Sequence, residues 1–205
     1  MAVQDKAHTD VVIISQPWDG RLAYAISQVG SPPVLTATAI ALNGSTLSSP
    51  RAWVWAGIHV LLAVLAPLLY LVWLVRWGLV TDLDVQLRQQ RIKPMIFTIV
   101  CSGLAWLVLT LGAAPRPMVV LASALWVQAV VTFAITLRWK VSVHCTAAAG
   151  TAMVVWFLMG TPLLLLVGVP LIAWSRVRLR RHTLAQTIAG TLLGLAVFLP
   201  IARSI

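Results

Sequence analysis

Glutamate is absent from this chain, and aspartate is nearly so. Asp5, Asp10, Asp19, Asp82 and Asp84 are the only acidic side chains in 205 residues. That supply is too small for the paired carboxylates of glycoside hydrolysis or for a carboxylate cage around Mg²⁺ or Ca²⁺. Cysteine is scarce as well. Cys101 and Cys145 lie in or beside apolar stretches and read as small packing residues, giving neither a disulfide framework nor zinc-ligand spacing. No metal and no cofactor is therefore expected. Charge of either sign makes up only 10% of the chain against 60% hydrophobic residues, a balance that suits hydrocarbon as the main solvent and not a soluble domain. The opening "MAVQDKAHTD" carries acids and no early apolar core, so a cleaved signal peptide is not expected.

What is present is a series of long apolar runs. A spanning helix needs roughly 20 predominantly apolar residues, or slightly fewer within a bundle. Runs of that kind cover about 53–75, 95–113, 118–137, 145–159, 162–174 and 183–201, separated by breakers such as "APRP" and "GTP". The expected fold is all-α, a polytopic membrane bundle of about six transmembrane helices over residues 51–205. Residues 1–50 are only moderately apolar and are broken by Pro32-Pro33; an interfacial helix pair is expected there, with a seventh span as the alternative. Trp53, Trp55, Trp73 and Trp77 sit at the ends of the first run and resemble interfacial anchors. Trp106, Trp126 and Trp156 fall mid-run and are expected to pack.

Six spans would put the loops 76–94, 138–144 and 175–182 on one face. Ten of the fifteen cations then share it: Arg76, Arg88, Arg91, Lys93, Arg138, Lys140, Arg176, Arg178, Arg180 and Arg181. Arg51, Arg116 and Arg203 would lie opposite, with Lys6 and Arg21 in the N-terminal segment. Short loops rich in Lys and Arg normally face the cytoplasm, which orients the charged face there. Cations confined to short loops suit anionic head groups or a phosphate better than nucleic acid, so no nucleic-acid partner is expected.

On the charged face the loops read "DLDVQLRQQRIKP" (82–94), "KVSVH" (140–144) and "SRVRLRRHTLAQ" (175–186). Guanidinium forks, an ammonium group and Ser hydroxyls are the donors a phosphoryl group needs, and His144 and His182 can serve nucleophilic and acid–base steps. Other residues carry plainer readings. His59 lies inside the first run and is expected to pack, and His8 lies in a polar tail. Arg178, Arg180 and Arg181 are expected to reach for head groups. Asp82 and Asp84 are expected to cap their loop or to pair with Arg88 and Arg91. A Cys145–His144 nucleophile pair lacks a positioned third group.

The order of these stretches resembles the type 2 phosphatidic acid phosphatase superfamily, whose motifs are KxxxxxxRP, PSGH and SRxxxxxHxxxD. Ser175, Arg176 and His182 match the third, with Gln186 in place of its Asp. Ser142 and His144 match the second, with Val141 and Val143 where Pro and Gly are usual. Pro94 matches the first, while Lys93 replaces Arg and Gln86 replaces Lys. The resemblance covers about residues 53–201. It implies a metal-independent phosphatase that hydrolyses a phosphomonoester or pyrophosphate of a lipid, of the phosphatidate or polyprenyl phosphate type. In that scheme His182 attacks phosphorus to form a phosphohistidine and His144 protonates the leaving alkoxide. Gln186 orients His182, and Arg176, Ser175, Ser142, Lys93, Arg91, Lys140 and Arg88 hold the phosphoryl oxygens. Without the motif carboxylate, Gln186 fixes the tautomer but supplies no anion. Two other readings stay open: a relative that binds anionic lipid or a partner protein without turnover, and a transferase that passes on the phosphoryl or lipid head group. Membrane lipids are the expected surroundings, in a bacterial-type plasma membrane; oligomeric state is open.

Overall fold

A computed structural model describes residues 17–201 and Ser204. Asp5, Lys6, His8, Asp10 and Arg203, with the reading of the first ten residues, lie outside the described residues. Every element among the described residues is helical, in the order α1 Trp18–Val29, α2 Pro32–Ser45, α3 Pro50–Arg76, α4 Ile92–Leu111, α5 Arg116–Thr136, α6 Val143–Met159, α7 Val169–Arg178 and α8 Leu184–Phe198. The boundaries follow local chemistry. Proline opens α2 and α3, where its missing N–H is no loss, and Gly160 closes α6 at φ +71, a left-handed angle that glycine adopts freely.

Three helices are long and apolar enough to cross a membrane: α3, α4 with the 3₁₀ turn Arg88–Arg91 before it, and α5. The helices α1 and α2 satisfy the same test only as a pair, bent by 45° at Gly30-Ser31, just ahead of Pro32-Pro33. The helices α6 and α8 are apolar but shorter. Two π-helical turns, Leu61–Leu65 within α3 and Leu164–Gly168 leading into α7, end just before Pro67 and Pro170. A proline leaves the carbonyl four residues back without its N–H, and a wider turn accommodates the gap.

The core that positions the site is α6, whose residues from His144 to Val154 are all buried. The helix α8 lies against it on small residues. A Cβ at Gly190 would stand 2.5 Å from the Ser142 carbonyl oxygen, and one at Gly194 2.5 Å from that of Thr146. Backbones this close need glycine, the small-residue contact that membrane helices use where lipid removes the hydrophobic drive for association. On another side α2 packs through buried Leu35 and Ala39, and Thr151 Oγ1 donates to the Leu35 carbonyl at 3.1 Å. Thus α2 packs on the bundle through one face, while Val34, Thr38 and Ala41 on its other face are exposed.

Trp106 and Trp126 stack at 5.3 Å with planes 4° apart, as mid-helix packing residues should. Trp156 departs from that expectation: it is exposed at the far end of α6 and stacks on its neighbour Phe157. Trp53, Trp73 and Trp77 are exposed, as anchors would be, and His59, Cys101 and Cys145 are buried.

Candidate active site

Three loops meet at one end of the bundle, and backbone carbonyls are the knots between them. Arg88 Nη1 donates to Leu137 O at 2.6 Å, tying the α3–α4 loop to the end of α5. Arg91, buried at the start of α4, donates Nε to Val85 O at 2.8 Å and Nη1 to Val141 O at 3.2 Å. Lys140 Nζ donates to Arg181 O at 2.9 Å, and Ser142 N to Gln186 O at 3.2 Å. In the loops, at Val85, Val141 and Arg181, such a bond supplies a backbone carbonyl with a donor. Arg88, Arg91 and Lys140, expected as phosphate ligands, thus hold the loops together.

His182 follows α7 directly. The turn closes when the N–H groups of Arg181 and His182 both reach the Arg176 carbonyl, with Arg180 at φ 55. Thr183 then caps α8. Its hydroxyl accepts from Gln186 N at 3.4 Å while Gln186 Oε1 accepts from Thr183 N at 3.3 Å, a reciprocal box that fixes the Gln186 side chain. The same Oε1 lies 2.9 Å from His182 Nδ1. An amide oxygen only accepts, so Nδ1 carries the proton and Nε2 carries the free lone pair. His182 borders an open cleft of about 410 Å³ lined also by Lys140, Arg181, Thr183 and Gln186. Its pKa is pushed down to about 3, first by burial, then by Arg91, Lys140 and Arg176, against the opposing pull of Gln186. Lys140 is lowered too, by burial and by Arg91, Arg176 and Arg181.

Arg176 is the hub. Its side chain is 1% exposed, and one nitrogen, Nη1, serves three neighbours. It donates to Ser27 Oγ at 2.6 Å, faces both oxygens of Asp84 at 3.3 Å, and stands 3.5 Å from His144 Nε2. Arg181 Nε lies 3.5 Å from the Asp84 carboxylate and His144 Nε2 lies 3.9 Å from it. Neither Arg176 Nε nor Arg181 Nε has a hydrogen-bond acceptor among the described residues. These two guanidinium N–H groups, near His144 and His182, are donors that an anion can use.

Not every expected residue reaches this centre. Ser142 Oγ caps α6 by accepting from Cys145 N at 3.4 Å, and Ser175 Oγ donates to Ile172 O at 2.7 Å; both are fully buried. Lys93 is exposed and makes no hydrogen bond or ion pair among the described residues. The pairing expected for the loop acids is corrected as well. Asp84 pairs with Arg176 and Arg181 in place of Arg88 and Arg91, because Val85, buried beside Leu74 and Val80, turns it inward. Asp82 takes a hydrogen bond from Thr81 Oγ1. Arg178, expected to reach for head groups, pairs instead with Asp19 of α1 at 2.7 and 3.0 Å.

Ser27, Asp84 and Arg181 are the site residues that the sequence did not single out for the centre. The scarcity of acids was the one available signal for Asp84: a chain with so few carboxylates that keeps one among cationic loops has a use for it. Burial first raises the Asp84 pKa, but Arg176, His144 and Arg181 together bring it below the ordinary carboxylate value, so Asp84 is an anion near neutral pH. Among the described residues no group of three or more His, Cys, Asp or Glu is placed to hold a metal. No family model, no curated protein and no solved structure matches the chain.

Proposed function

We propose that the protein is an integral-membrane phosphatase that removes a phosphoryl group from a lipid phosphate through a phosphohistidine, with no metal in the step. One observation carries the reading: Gln186 pins His182 as the Nδ1–H tautomer, leaving Nε2 as a neutral nucleophile at an open cleft beside buried arginine. Nε2 attacks phosphorus and the P–O bond to the lipid breaks. His144 acts as the acid: it takes up a proton against the opposition of burial and Arg176, with Asp84 favouring the charged ring, and delivers that proton to the leaving oxygen. It then takes a proton from the water that attacks phosphohistidine, restoring both imidazoles and releasing phosphate. Arg176 and Arg181 meet the charge that spreads over the phosphoryl oxygens.

In this reading α3 to α8 are the six spans, and the bent α1–α2 pair packs beside them. The lipid tail lies along the apolar bundle and the charged end faces the cytoplasm. Phosphatidate and polyprenyl phosphates both fit. Phosphate release from a panel of such lipids, by purified protein in detergent with EDTA, tests the reading. Turnover should survive the chelator and vanish in His182→Ala. A second reading, binding of anionic lipid without turnover, draws on Gln186 standing where the motif has a carboxylate. Unchanged lipid binding with no turnover on any substrate would favour it.

A further inference from the structure

A carboxylate inside an anion site is an anomaly that the chemistry above does not use. Asp84 spreads both oxygens over Arg176 Nη1 and approaches Arg181 and His144, the donors a phosphoryl group would need. It is held there from behind. Val85 is buried at φ 44, a left-handed angle that β-branched residues rarely adopt, and its carbonyl is fastened by the buried Arg91. The Asp84 side chain itself is 23% exposed, so its carboxylate already borders water.

We propose that Asp84 makes the site select by charge: it is a resident monoanion that a dianionic phosphoryl end group displaces and a monoanionic phosphodiester does not. The inference rests on the reading of this cluster as a phosphoryl site. Exchanging Asp84 for a phosphodiester trades one negative charge for one, and the diester offers only two unesterified oxygens. Exchanging it for a phosphomonoester or terminal diphosphate adds a second charge and a third oxygen. Arg91, Lys140, Arg176 and Arg181 outnumber the acids that act on them, Asp84 and, at Arg91, Asp82, so the added charge is favourable. The need for such selection is physical. A bilayer presents phosphodiester head groups at every position along its surface, and a cationic pocket without a filter would be filled by them.

The test uses the full chain in detergent and two probes, inorganic phosphate and dimethyl phosphate, titrated calorimetrically at about pH 8, where phosphate is mostly dianionic. The unaltered protein should bind phosphate and discriminate against dimethyl phosphate. In Asp84→Asn the dimethyl phosphate affinity should rise by about tenfold or more, the scale of removing a like charge from a desolvated anion site. Asp84→Glu should keep the discrimination. Equal preference ratios in the unaltered and Asn proteins overturn the proposal. Should Asp84→Asn fail to fold, the unaltered protein suffices: its phosphate affinity should fall about tenfold or more at about pH 5.5, where phosphate is a monoanion and Asp84 is still ionised. An unchanged affinity overturns the proposal. Phosphate binding that survives Arg176→Ala, or no phosphate binding at all, overturns the phosphoryl-site reading and this inference with it. Binding that needs Arg176 but ignores Asp84 overturns this inference alone.

Discussion

Gln186→Glu puts a charge where the resembled motif has one without altering shape. Glutamate is isosteric with glutamine, so its Oε1 should take the same place, 2.9 Å from His182 Nδ1. Aspartate would be one methylene short of it. The two charge centres would stand about 4 Å apart, which at an effective dielectric of ~20 corresponds to about 4 kcal/mol of attraction toward imidazolium. Gln186 is half-buried, and solvent screening with partial desolvation of the new carboxylate reduces the useful part to about 1–2 kcal/mol. At 1.36 kcal/mol per decade, that is about a five- to thirtyfold gain in the rate of phosphohistidine formation. A nearby anion favours the protonated ring, so the His182 pKa rises. From about 3, a rise of one or two units still leaves the nucleophile neutral at pH 7. The gain in the transition state is therefore not offset by loss of the reactive form. Glu at this position also completes a stronger capping box with Thr183, and a thermal melt in detergent measures that effect separately. The assay is single-turnover trapping of phosphoenzyme from a lipid phosphate. A folded Glu variant that forms phosphohistidine no faster than the unaltered protein would refute the assignment of His182 Nδ1 and Gln186 as the orienting pair.

Two further outcomes concern the scaffold and its response to pH. Gly194→Ala forces a Cβ to within 2.5 Å of the Thr146 carbonyl and should destabilise the protein by about 1–3 kcal/mol, the usual penalty of overpacking. Gly57→Ala, whose Cβ meets nothing within 4 Å, should be neutral or stabilising in the same melt; equal effects would show that the α6–α8 contact is looser than described. With ¹³C-labelled histidine, the His182 ring signal, identified by its loss in His182→Asn, should report a neutral imidazole down to about pH 4. The sign for stability follows. A histidine whose folded pKa is lowered from 6.5 to about 3 is protonated first in the unfolded chain, so stability falls as pH drops from about 6.5 toward 3. An NMR midpoint near 6.5 would contradict the burial and charge described at His182.

The helices were legible because their signal is summed over many residues. Apolar runs at about 53–75 and 118–137 became Pro50–Arg76 and Arg116–Thr136, with proline and glycine marking the ends within a few residues. Of the site, the third motif was legible for a local reason. His182 and Gln186 are four apart across a helix start, where spacing alone brings two side chains together. Asp84 and Ser27 were not legible. They meet Arg176 across separations of 92 and 149 residues, and nothing within either local stretch encodes such a contact. The expected run 162–174 ended too soon, because Arg176 and Arg178 read as a loop. In the structure α7 continues through them, and Arg178 is held by Asp19 while Arg176 is held by Ser27. Charge at a helix end breaks an apolar pattern without breaking the helix.

That distinction changes what a count of cations means. Ten positive residues on one set of loops suggest a broad cradle for an anion, but four of them are already committed elsewhere. Arg88, Arg91 and Lys140 spend donors on the carbonyls of Leu137, Val85, Val141 and Arg181, and Arg178 is bound to Asp19. A loop that crosses a bundle end near lipid has little water to satisfy its backbone, and a long cationic side chain is the donor that reaches furthest. Among the described residues, Arg176 and Arg181 are the cations that pair with Asp84 and also keep a buried Nε–H without a hydrogen-bond acceptor. The surrounding positive charge therefore acts mainly through the field, keeping His182 neutral and Asp84 ionised. Positive charge in the neighbouring loops thus serves two ends at once, since the residues that close the backbone also set the protonation states on which the proposed chemistry depends.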